Sequence, residues 1–567
     1  MTIPWTSAAG RPRPTCAARR HILPRTRDAA LAWAELAGLC ALAVAEPILE
    51  ELQQAPEVFA ALEVRGFEAL LFAMTLAIVP PTLLLAVELA IGAVWSRGQR
   101  FAHAGFVAFL VASIAWQLAH RGSYVETDFA RLVLVGSFCC VLVAYLRTAW
   151  LPSVTRVLGL ATPVVVILFL TSPQVGRSFT TEPTEALERH GPPVVLIVFD
   201  ELPLATLLGA DGSIDASLFP NFAQLAEEST WYRNARTVSD QTVHAVPAIL
   251  TGESPGSDRI ATGADYPQNI FTLFGGPVLE GEVITDLCGP PVCGDRYTLG
   301  YQLRQLAKVG GSVALTLPFG LLDADRPKFL KEVAAHGYGY PKGFDTFVAE
   351  LAAAPPQRPI LAVFHELLPH TPWRYRPNGQ TYSAPDVPGQ VAGSWSNQTS
   401  LVGAAFKRHV LQTRFVDRQL GRLMRAMKRS SIYDGAALAV ASDHGISFVP
   451  NTRLRELSPA NAGWILPVPL FVKRPGQKRG EIEGQPMRTI DIVPTLARAA
   501  GLEAPETIDG RTVGEPRDPK ADARYLSVEN GFVQIDTAVV NRAFERAVAH
   551  RNRMLSPKTR GIEPADL

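Results

Sequence analysis

The chain has 567 residues, of which 47% are hydrophobic and 19% charged, and its 54 basic residues nearly balance 53 acidic ones. This length suggests several domains rather than one core. A net charge of +1 gives no support for nucleic-acid binding, which ordinarily needs a clearly basic surface. The mean hydropathy of +0.12 is high for a soluble protein, so the distribution of the apolar residues matters more than their total.

Residues 1–172 contain the apolar excess, with 13 Arg, no Lys and 11 acidic residues. A helix needs about 20 mostly apolar residues to cross the hydrocarbon of a bilayer. The apolar runs are Ala29–Leu49, Leu70–Trp95, Ala102–Ala119, Leu132–Tyr145 and Val157–Ser172. The sequence therefore predicts an N-terminal α-helical transmembrane domain of about five helices, spanning residues 1–172.

Charge in the connecting loops predicts the orientation of these helices. Ten of the 13 arginines lie before the first run and after the second and fourth runs: the six within Arg11–Arg27, and Arg97, Arg100, Arg147 and Arg156. The other loops are acidic, with Glu50–Glu63 in one and Glu126–Asp128 in the next. The positive-inside rule then places the N-terminus in the cytoplasm. Five crossings put the rest of the chain on the periplasmic or extracellular side of the cytoplasmic membrane.

Two cysteines fall in the large C-terminal part of the chain. Cys288 and Cys293 bracket the turn-like segment Gly289–Val292. In an oxidising compartment they would form a disulfide that closes a small loop. A coincidental pair or a metal clip are the alternatives, and a disulfide agrees with an external location.

After a linker at residues 173–192, the composition becomes that of a water-soluble α/β domain at 193–515. Val194–Phe199, Pro359–Phe364 and Ala437–Ala441 are unbroken apolar runs, typical of strands buried on both faces. Helix-like stretches lie between and after them: Phe222–Glu228, Arg408–Lys428 and Ile490–Ala500. This alternation predicts a doubly wound, mostly parallel sheet. Residues 516–567 form a C-terminal tail or closing subdomain.

Metal-ligand side chains stand at the end of each of these strands. In chain order they are Asp200 and Glu201, His365 and Glu366, and Asp443 and His444. Ligands of such sheets bind beyond the carboxyl ends of the strands, so these residues predict a metal-centred site. The alternative is that each is an ordinary turn former.

Thr242 is a candidate nucleophile because it lies at or near a predicted helix N-terminus. Backbone N–H groups and the helix dipole favour an anion there. A hydroxyl beside a divalent metal can be deprotonated and attack phosphorus or sulfur. An ordinary N-cap is the alternative interpretation.

The ordered set of motifs resembles the sulfatase-like branch of the alkaline phosphatase superfamily over roughly residues 193–513. The matching stretches are Val194–Glu201, Phe219–Ala226, Thr242–Gly252, Pro369–Trp373, Ser442–Gly445 and Thr489–Leu496. A five-helix anchor before an external domain is similar to lipoteichoic acid synthases and lipid A phosphoethanolamine transferases, which share this catalytic fold.

The resemblance implies a metal-dependent hydrolase or phosphotransferase with one divalent ion, Mn, Zn, Mg or Ca. It implies metal ligands at Asp200, Asp443, His444 and the nucleophile Thr242, with Glu201 as the second choice for the first strand. It also implies that His370 contacts the transferred group or the leaving oxygen. Further candidates for substrate binding are His365, Glu366, Trp373 and His244.

Two departures from the family patterns narrow the chemistry. Sulfatases convert a Cys or Ser in a C/S-x-P-x-R frame to formylglycine, whereas Thr242–Val246 has neither the precursor residue nor the arginine. Threonine instead resembles the nucleophile of the phosphate-transferring members. Glu366 and His370 have the spacing of half a second metal site, but Gly445–Ala549 contains no further histidine, which favours one metal.

The predicted function is phosphoryl-group transfer, of phosphoglycerol or phosphoethanolamine type, through Thr242. The expected partners are membrane lipids and a lipid-linked or envelope-polymer substrate. Two alternatives remain: a membrane-tethered hydrolase of phosphate, phosphonate or sulfate esters, and an inactive sensor or assembly factor.

Overall fold

The computed structural model describes residues 22–53, 57–121, 127–177, 191–290, 292–295, 297–316, 342–356, 358–383, 387–516, 519–527 and 530–556. The chain divides into two compact units. The helical unit comprises Met1–Gln54, Gly66–Val175 and Leu303–Asp325, and the α/β unit comprises Ala55–Arg65, Gly176–Gln302 and Arg326–Leu567.

The N-terminal third of the described chain is entirely helical. Its α-helices are α1 (Ile22–Cys40), α2 (Glu46–Gln53), α3 (Glu57–Ala61), α4 (Gly66–Val94), α5 (Ser96–Arg121), α6 (Thr127–Arg147), α7 (Trp150–Val157), α8 (Ala161–Leu170) and α9 (Pro173–Arg177). A π-helical turn at Ala41–Ala45 joins α1 to α2, and a 3-10 turn at Leu158–Leu160 joins α7 to α8.

Four continuous helical segments are long and apolar enough to cross a membrane, judged by length and composition. They are Asp28–Gln53, Gly66–Val94, Ser96–Ala119 and Trp150–Leu170. The remaining predicted span lies in α6, whose apolar part, Leu132–Arg147, is shorter. Exposed side chains such as Leu83, Val135 and Leu168 give these helices the apolar surface expected of residues in contact with lipid.

The rest of the chain forms a mixed α/β unit. Its strands are β1 (Val194–Phe199), β2 (Thr230–Tyr232), β3 (Ala235–Arg236), β4 (Val278–Gly281), β5 (Leu361–Glu366), β6 (Gln390–Val391), β7 (Ser394–Trp395), β8 (Ala437–Ser442), β9 (Leu470–Lys473), β10 (Glu481–Glu483), β11 (Met487–Arg488), β12 (Arg524–Ser527) and β13 (Gly531–Gln534). Its helices are α10 (Leu204–Leu207), α11 (Pro220–Glu228), α12 (Thr242–Thr251), α13 (Ile270–Phe274), α14 (Leu299–Thr316), α15 (Lys342–Ala353), α16 (Thr399–Arg429), α17 (Ala462–Ile465), α18 (Ile492–Ala499), α19 (Pro519–Asp522) and α20 (Thr537–Met554).

A seven-stranded sheet in the order β10-β2-β9-β8-β1-β5-β4 organises this unit. β1 pairs in parallel with both β5 and β8, and β4 pairs in parallel with β5. β9 runs antiparallel to β2 and β8, so the sheet is mixed rather than purely parallel. The three central strands coincide with the three apolar runs of the sequence, because each is buried along its whole length.

Helices cover both faces of the sheet and produce two cores. Successive side chains of a strand point to opposite faces, so β1 contributes to both cores. Its residues Val195, Ile197 and Phe199 pack into the first core, and Val194, Leu196 and Val198 pack into the second. The helix α16 contributes the largest apolar surface of the first core, and α12 and α18 contribute to the second. This double burial explains why the strand runs are uninterrupted.

The C-terminal residues belong to the same unit. β12 and β13 form an antiparallel hairpin. Leu526 N donates to Val238 O at 2.9 Å, and Ser527 Oγ donates to Asp240 Oδ2 at 2.6 Å. The tail therefore packs against the loop that leads into α12.

Residues 57–65, which precede α4, also pack into the core of the α/β unit. Ala60 is fully buried in the same apolar cluster as Leu287 and Cys288. Gln302 Nε2 donates to the carbonyl oxygens of Leu62 and Glu63 at 3.1 and 2.9 Å. Cys288 and Cys293 are joined by a disulfide, which lies next to these contacts.

Candidate metal centre

The three central strands bring three ligand side chains together at their carboxyl ends. In the parallel register Phe199 lies opposite both Glu366 and Ser442, so the strands end at the same level. Asp200, His365 and Asp443 consequently converge, with one ligand atom of each within 4.8 Å of the others, and all three are buried. His365 thus lies in the ligand cluster; it was among the strand-end residues that predicted a metal-centred site, although its assigned role was substrate binding.

Four polar atoms of this cluster have no hydrogen bond among the described residues. They are Asp200 Oδ2, Asp443 Oδ2 and both ring nitrogens of His365, and all are buried. Within the cluster, His365 Nε2 lies 3.8 Å from Asp200 Oδ2. Unpaired buried carboxylates are strongly disfavoured, and a divalent cation bound by two oxygens and one imidazole nitrogen would remove that cost.

The pKa shifts agree with a cation site. Burial, with the neighbouring Asp443 and Glu201 carboxylates, raises the pKa of Asp200 well above its ordinary value. Burial lowers the pKa of His365 to about 4. His365 is therefore neutral near pH 7, the state in which imidazole binds a metal.

Thr242 is the first residue of α12 and lies beside the cluster. Its Oγ1 is 3.5 Å from Asp200 Oδ1 and 3.2 Å from His444 Nε2. Backbone N–H groups of a first helical turn favour an anion at this position. The predicted N-cap role does not apply to Thr242 itself, because Gln241 is the N-cap and makes no side-chain capping bond.

His444 is held in one tautomer by the backbone. Its Nδ1 lies 2.9 Å from the carbonyl oxygen of Gly445 and donates to it, which leaves a lone pair on Nε2. That nitrogen faces Thr242 Oγ1 and lies 3.5 Å from Asp443 Oδ2. His444 can therefore bind a cation or accept a proton from the threonine.

Glu201 has a different set of contacts. Its carboxylate accepts from Arg455 Nε at 2.5 Å and from Thr371 N at 3.0 Å. Burial alone would raise its pKa, but Arg455, His370 and His444 lower it to about 2. Glu201 is thus ionised and binds an arginine rather than standing in the three-residue cluster.

Arg455 also contacts His370 and was not among the predicted site residues. Its Nη2 makes a short contact with His370 Nε2, while His370 Nδ1 bonds to Thr371 O. The negative charges of Glu201 and Asp200 outweigh burial and raise the pKa of Arg455. A permanent guanidinium beside the cluster suits an anionic substrate. Only its position eleven residues after His444 marks it in the sequence, and a lone arginine in a loop is a weak signal.

The other predicted residues lie around this centre. Glu366 accepts from Leu368 N at 3.2 Å and Gln419 Nε2 at 3.3 Å, and burial raises its pKa to about 8. Trp373 is buried, donates to Pro369 O at 2.9 Å and stacks on Trp395. His244 is half-enclosed on α12, where burial lowers its pKa. These contacts are those of supporting residues.

Parts of the chain are similar to known proteins. The family model described as "Sulfatase" matches residues 324–502, about a third of this chain. A curated relative, the multifunctional alkaline phosphatase superfamily protein PehA of Trinickia caryophylli, is 30% identical over 118 residues, covering 19% of this chain. The matched part spans 23% of that relative, or about a quarter of its length.

Two solved structures are among those that align with this chain at low identity. The phosphonate monoester hydrolase of Silicibacter pomeroyi aligns with a TM-score of 0.38 and 17% identity, over 57% of this chain and 76% of that chain. The 2-O GAG sulfatase BT1596 aligns with a TM-score of 0.38 and 15% identity, over 60% of this chain and 77% of that chain.

Proposed function

We propose that the protein is a metal-dependent enzyme that transfers a phosphoryl-type group, of phosphoglycerol or phosphoethanolamine type, through Thr242. The observation that carries the proposal is the position of Thr242 Oγ1, at the start of a helix and within 3.5 Å of Asp200 and His444. We further propose that the enzyme works at the outer side of the cytoplasmic membrane on lipid-linked or envelope substrates. The long apolar helices support this location.

Asp200, Asp443 and His365 would hold the divalent ion, and the lone pair of His444 Nε2 stays available as a proton acceptor. The ion, when bound, supplies positive charge that favours the ionised hydroxyl and the charge developing on the transferred group. The donor set of carboxylate oxygens and imidazole suits Mn²⁺ or Zn²⁺, with Mg²⁺ or Ca²⁺ as harder alternatives.

The residues of the chain divide the reaction between them. Thr242 Oγ1 attacks phosphorus, forming a Thr–O–P bond while the bond from phosphorus to the leaving alcohol breaks. The hydroxyl proton can pass to His444 Nε2, which has a free lone pair at 3.2 Å. Arg455, fixed by Glu201, would pair with the phosphoryl oxygens, and His370 lies at the same place to contact the leaving oxygen. The leaving oxygen departs as an alcohol by taking up the proton held at His444 Nε2. An acceptor hydroxyl or water then displaces Thr242, and the acceptor's proton returns through His444 to the threonine oxygen.

The test compares Thr242→Ala with Thr242→Ser and with Thr251→Ser, a matched change at the other end of α12. We expect Thr242→Ala to lose turnover by about a thousandfold or more. Its metal content, measured by elemental analysis, should remain that of the wild type. Mass spectrometry of the trapped wild-type protein should find the covalent group on Thr242. Full activity of Thr242→Ala would contradict the proposal.

A hydrolase of phosphate, phosphonate or sulfate esters is the second candidate, supported by the sulfatase-family match. Product analysis with a labelled phospholipid separates the two functions. A transferase places the label on an acceptor, whereas a hydrolase releases it free in solution. The residues Thr242–Val246 argue against sulfate esters, because they offer no precursor of formylglycine. A purified protein that binds no metal would favour an inactive sensor or assembly factor instead.

A further inference from the structure

The helical unit contains a buried polar network within its otherwise apolar helices. Side chains from five helices meet in it: Glu35 on α1, Glu88 on α4, His103 and Gln99 on α5, Tyr145 on α6, and Thr155 and Arg156 on α7. We call this set the His103 network. Ionisable residues inside such helices are costly, so they are seldom present without a role.

His103 lies at the centre of the network, with a carboxylate on each side. Its Nδ1 is 2.9 Å from Glu88 Oε2. Its Nε2 is 3.0 Å from Tyr145 Oη and 3.4 Å from Glu35 Oε2. The Tyr145 hydroxyl uses its own hydrogen to donate to Glu35 Oε1 at 2.8 Å.

Donor counting then determines the charge of His103. An ionised carboxylate only accepts hydrogen bonds, so Nδ1 must donate to Glu88. Because the hydrogen of Tyr145 is already directed at Glu35, Nε2 must donate as well. An imidazole that donates from both nitrogens carries an extra proton. A neutral His103 would leave a lone pair facing an acceptor.

The network is charge-balanced when His103 holds this proton. Glu35 is 1% exposed, accepts from Thr155, and lies 3.6 Å from Arg156 Nε. Glu88 accepts from Gln99 Nε2 at 3.2 Å as well as from His103. Two carboxylates thus face two cations, and loss of the proton would leave one buried carboxylate uncompensated.

The geometry points to a proton-binding site at His103, which ties α1, α4, α5, α6 and α7 together when occupied. Glu88 lies six residues before the end of α4, and His103 seven residues after the start of α5. At 1.5 Å per residue, both lie about 10 Å from the connection between α4 and α5, next to which Arg97 and Arg100 lie in the first turns of α5. We infer that the proton exchanges with the solution at this arginine-bearing end.

The test uses the full-length protein in lipid nanodiscs. Nitrogen-15 NMR of labelled histidine, with His103→Gln to assign the signal, should show an imidazolium at about pH 8, where an ordinary histidine is neutral. A neutral ring at that pH would overturn the proposal. Only the predicted charge state gives two protonated ring nitrogens, so a structural role alone would not produce this result.

A second measurement reports the packing of the helices. Cys40 on α1 is 1% exposed, and its labelling rate by a maleimide can report opening after Cys16, Cys139 and Cys140 are replaced by Ser. We expect His103→Gln to raise the labelling rate about tenfold or more at fixed pH. Ser113→Ala, on the same helix but outside the network, should leave the rate unchanged.

The charge-free variant completes the test. Glu35→Gln, Glu88→Gln and His103→Gln together remove the charges that need the proton. Cys40 of this triple variant should react with the maleimide more slowly than Cys40 of the His103→Gln variant. Its labelling rate should change with pH only as far as ionisation of the Cys40 thiol changes it. Equal labelling of the wild type and His103→Gln across the pH range would contradict a proton-linked network.

Discussion

Glu201 and Arg455 form a buried ion pair directly beside the candidate ligands. The Glu201 side chain is fully buried and that of Arg455 is one quarter exposed. Removing one partner of such a pair leaves the other charge uncompensated, which commonly costs about 3–5 kcal/mol. The pair therefore positions a guanidinium and also contributes to the stability of the site.

Substitution of Arg455 should separate these two effects. Arg455→Lys keeps the charge but loses the fork that contacts Glu201 and His370 together, so we expect KM to rise about tenfold or more with a small loss of stability. Arg455→Ala should also lower the melting temperature, because Glu201 is left unpaired. Kinetics and thermal unfolding measure the two quantities. Arg453→Lys, an exposed change two residues away, is the control, and an unchanged KM in Arg455→Lys would contradict the role in substrate binding.

His409 predicts how stability depends on pH. It is fully buried on α16, its Nε2 is 3.1 Å from Thr206 Oγ1, and burial lowers its pKa to about 3. The unfolded chain, with a histidine pKa of about 6.5, binds a proton that the folded chain does not. The free energy of unfolding should therefore fall as pH decreases below about 6.5, by up to about 1.4 kcal/mol per pH unit from this residue.

Thermal unfolding of the wild type and His409→Gln between about pH 7 and 5 measures this contribution. The variant should be less sensitive to acid than the wild type, although it is less stable at neutral pH because the aromatic packing with Trp373 and Phe448 is altered. Identical slopes in the two proteins would rule out His409 as a source of acid sensitivity.

At the scale of elements, β8 and its following turn fix the site through close backbone packing. A Cβ added at Gly445 would lie 2.0 Å from the carbonyl oxygen of Trp464. A Cβ added at Gly435, just before the same strand, would have its nearest neighbouring atom, the carbonyl oxygen of Ile432, at 4.0 Å. The turn after β8 thus has no space for a side chain, whereas the turn before it does.

We expect Gly445→Ala to move His444 and reduce both metal retention and stability, by about 1–3 kcal/mol for the steric overlap. Gly435→Ala should change neither quantity by a measurable amount. Elemental analysis and thermal unfolding of the two variants provide the comparison. A Gly445→Ala protein with wild-type metal content would show that the turn tolerates displacement.

The predictable part of the structure follows from burial. β1, β5 and β8 could be located because strands covered on both faces need uninterrupted apolar runs, and their shared carboxyl edge brings Asp200 and Asp443 together. The antiparallel β9 and the short edge strands could not, since four-residue strands carry little pattern. The sequence could not assign His365 to the ligand cluster, because its position there depends on the strand register. It gave no indication of Arg455, because the position of that residue depends on the path of a loop.

At the scale of the whole molecule, α3 and the residues up to Arg65 constrain the path of the chain. They pack into the α/β unit, so in any membrane-inserted form they lie on the same side of the membrane as β1. The chain must then cross an even number of times between Arg65 and Val194. The intervening helices are α4, α5, α6 and the segment from α7 to α8. We therefore expect the shorter α6 to cross as well, which gives five crossings with the first segment.

Cysteine labelling in intact cells tests this expectation, in a background where Cys16, Cys139 and Cys140 are replaced. A cysteine at Thr148, between α6 and α7, should be protected from an impermeant maleimide, and one at exposed Asp258 in the α/β unit should react. Labelling at both positions would show that α6 does not cross.

The same segment predicts the behaviour of a truncated protein. Val58, Phe59, Ala60 and Leu62 are buried, so a fragment that begins at residue 191 leaves an apolar surface uncovered. We expect this fragment to be less stable and more prone to associate than one that carries residues 57–65 through a flexible linker. Thermal unfolding and sedimentation compare the two, with a linked segment carrying Ala60→Asp as the control. Equal behaviour of all three would show that the segment is dispensable.

The early position of this segment also has a consequence for synthesis. Residues 57–65 leave the ribosome well before β1, the central strand on whose core they pack. At ordinary translation rates the delay is on the order of ten seconds. In a membrane-inserted form, this short apolar stretch waits outside its future core during that interval, while the helices from α4 to α8 enter the bilayer. We therefore expect Val58–Val64 to be covered by a chaperone or by the membrane surface until the α/β unit folds around it.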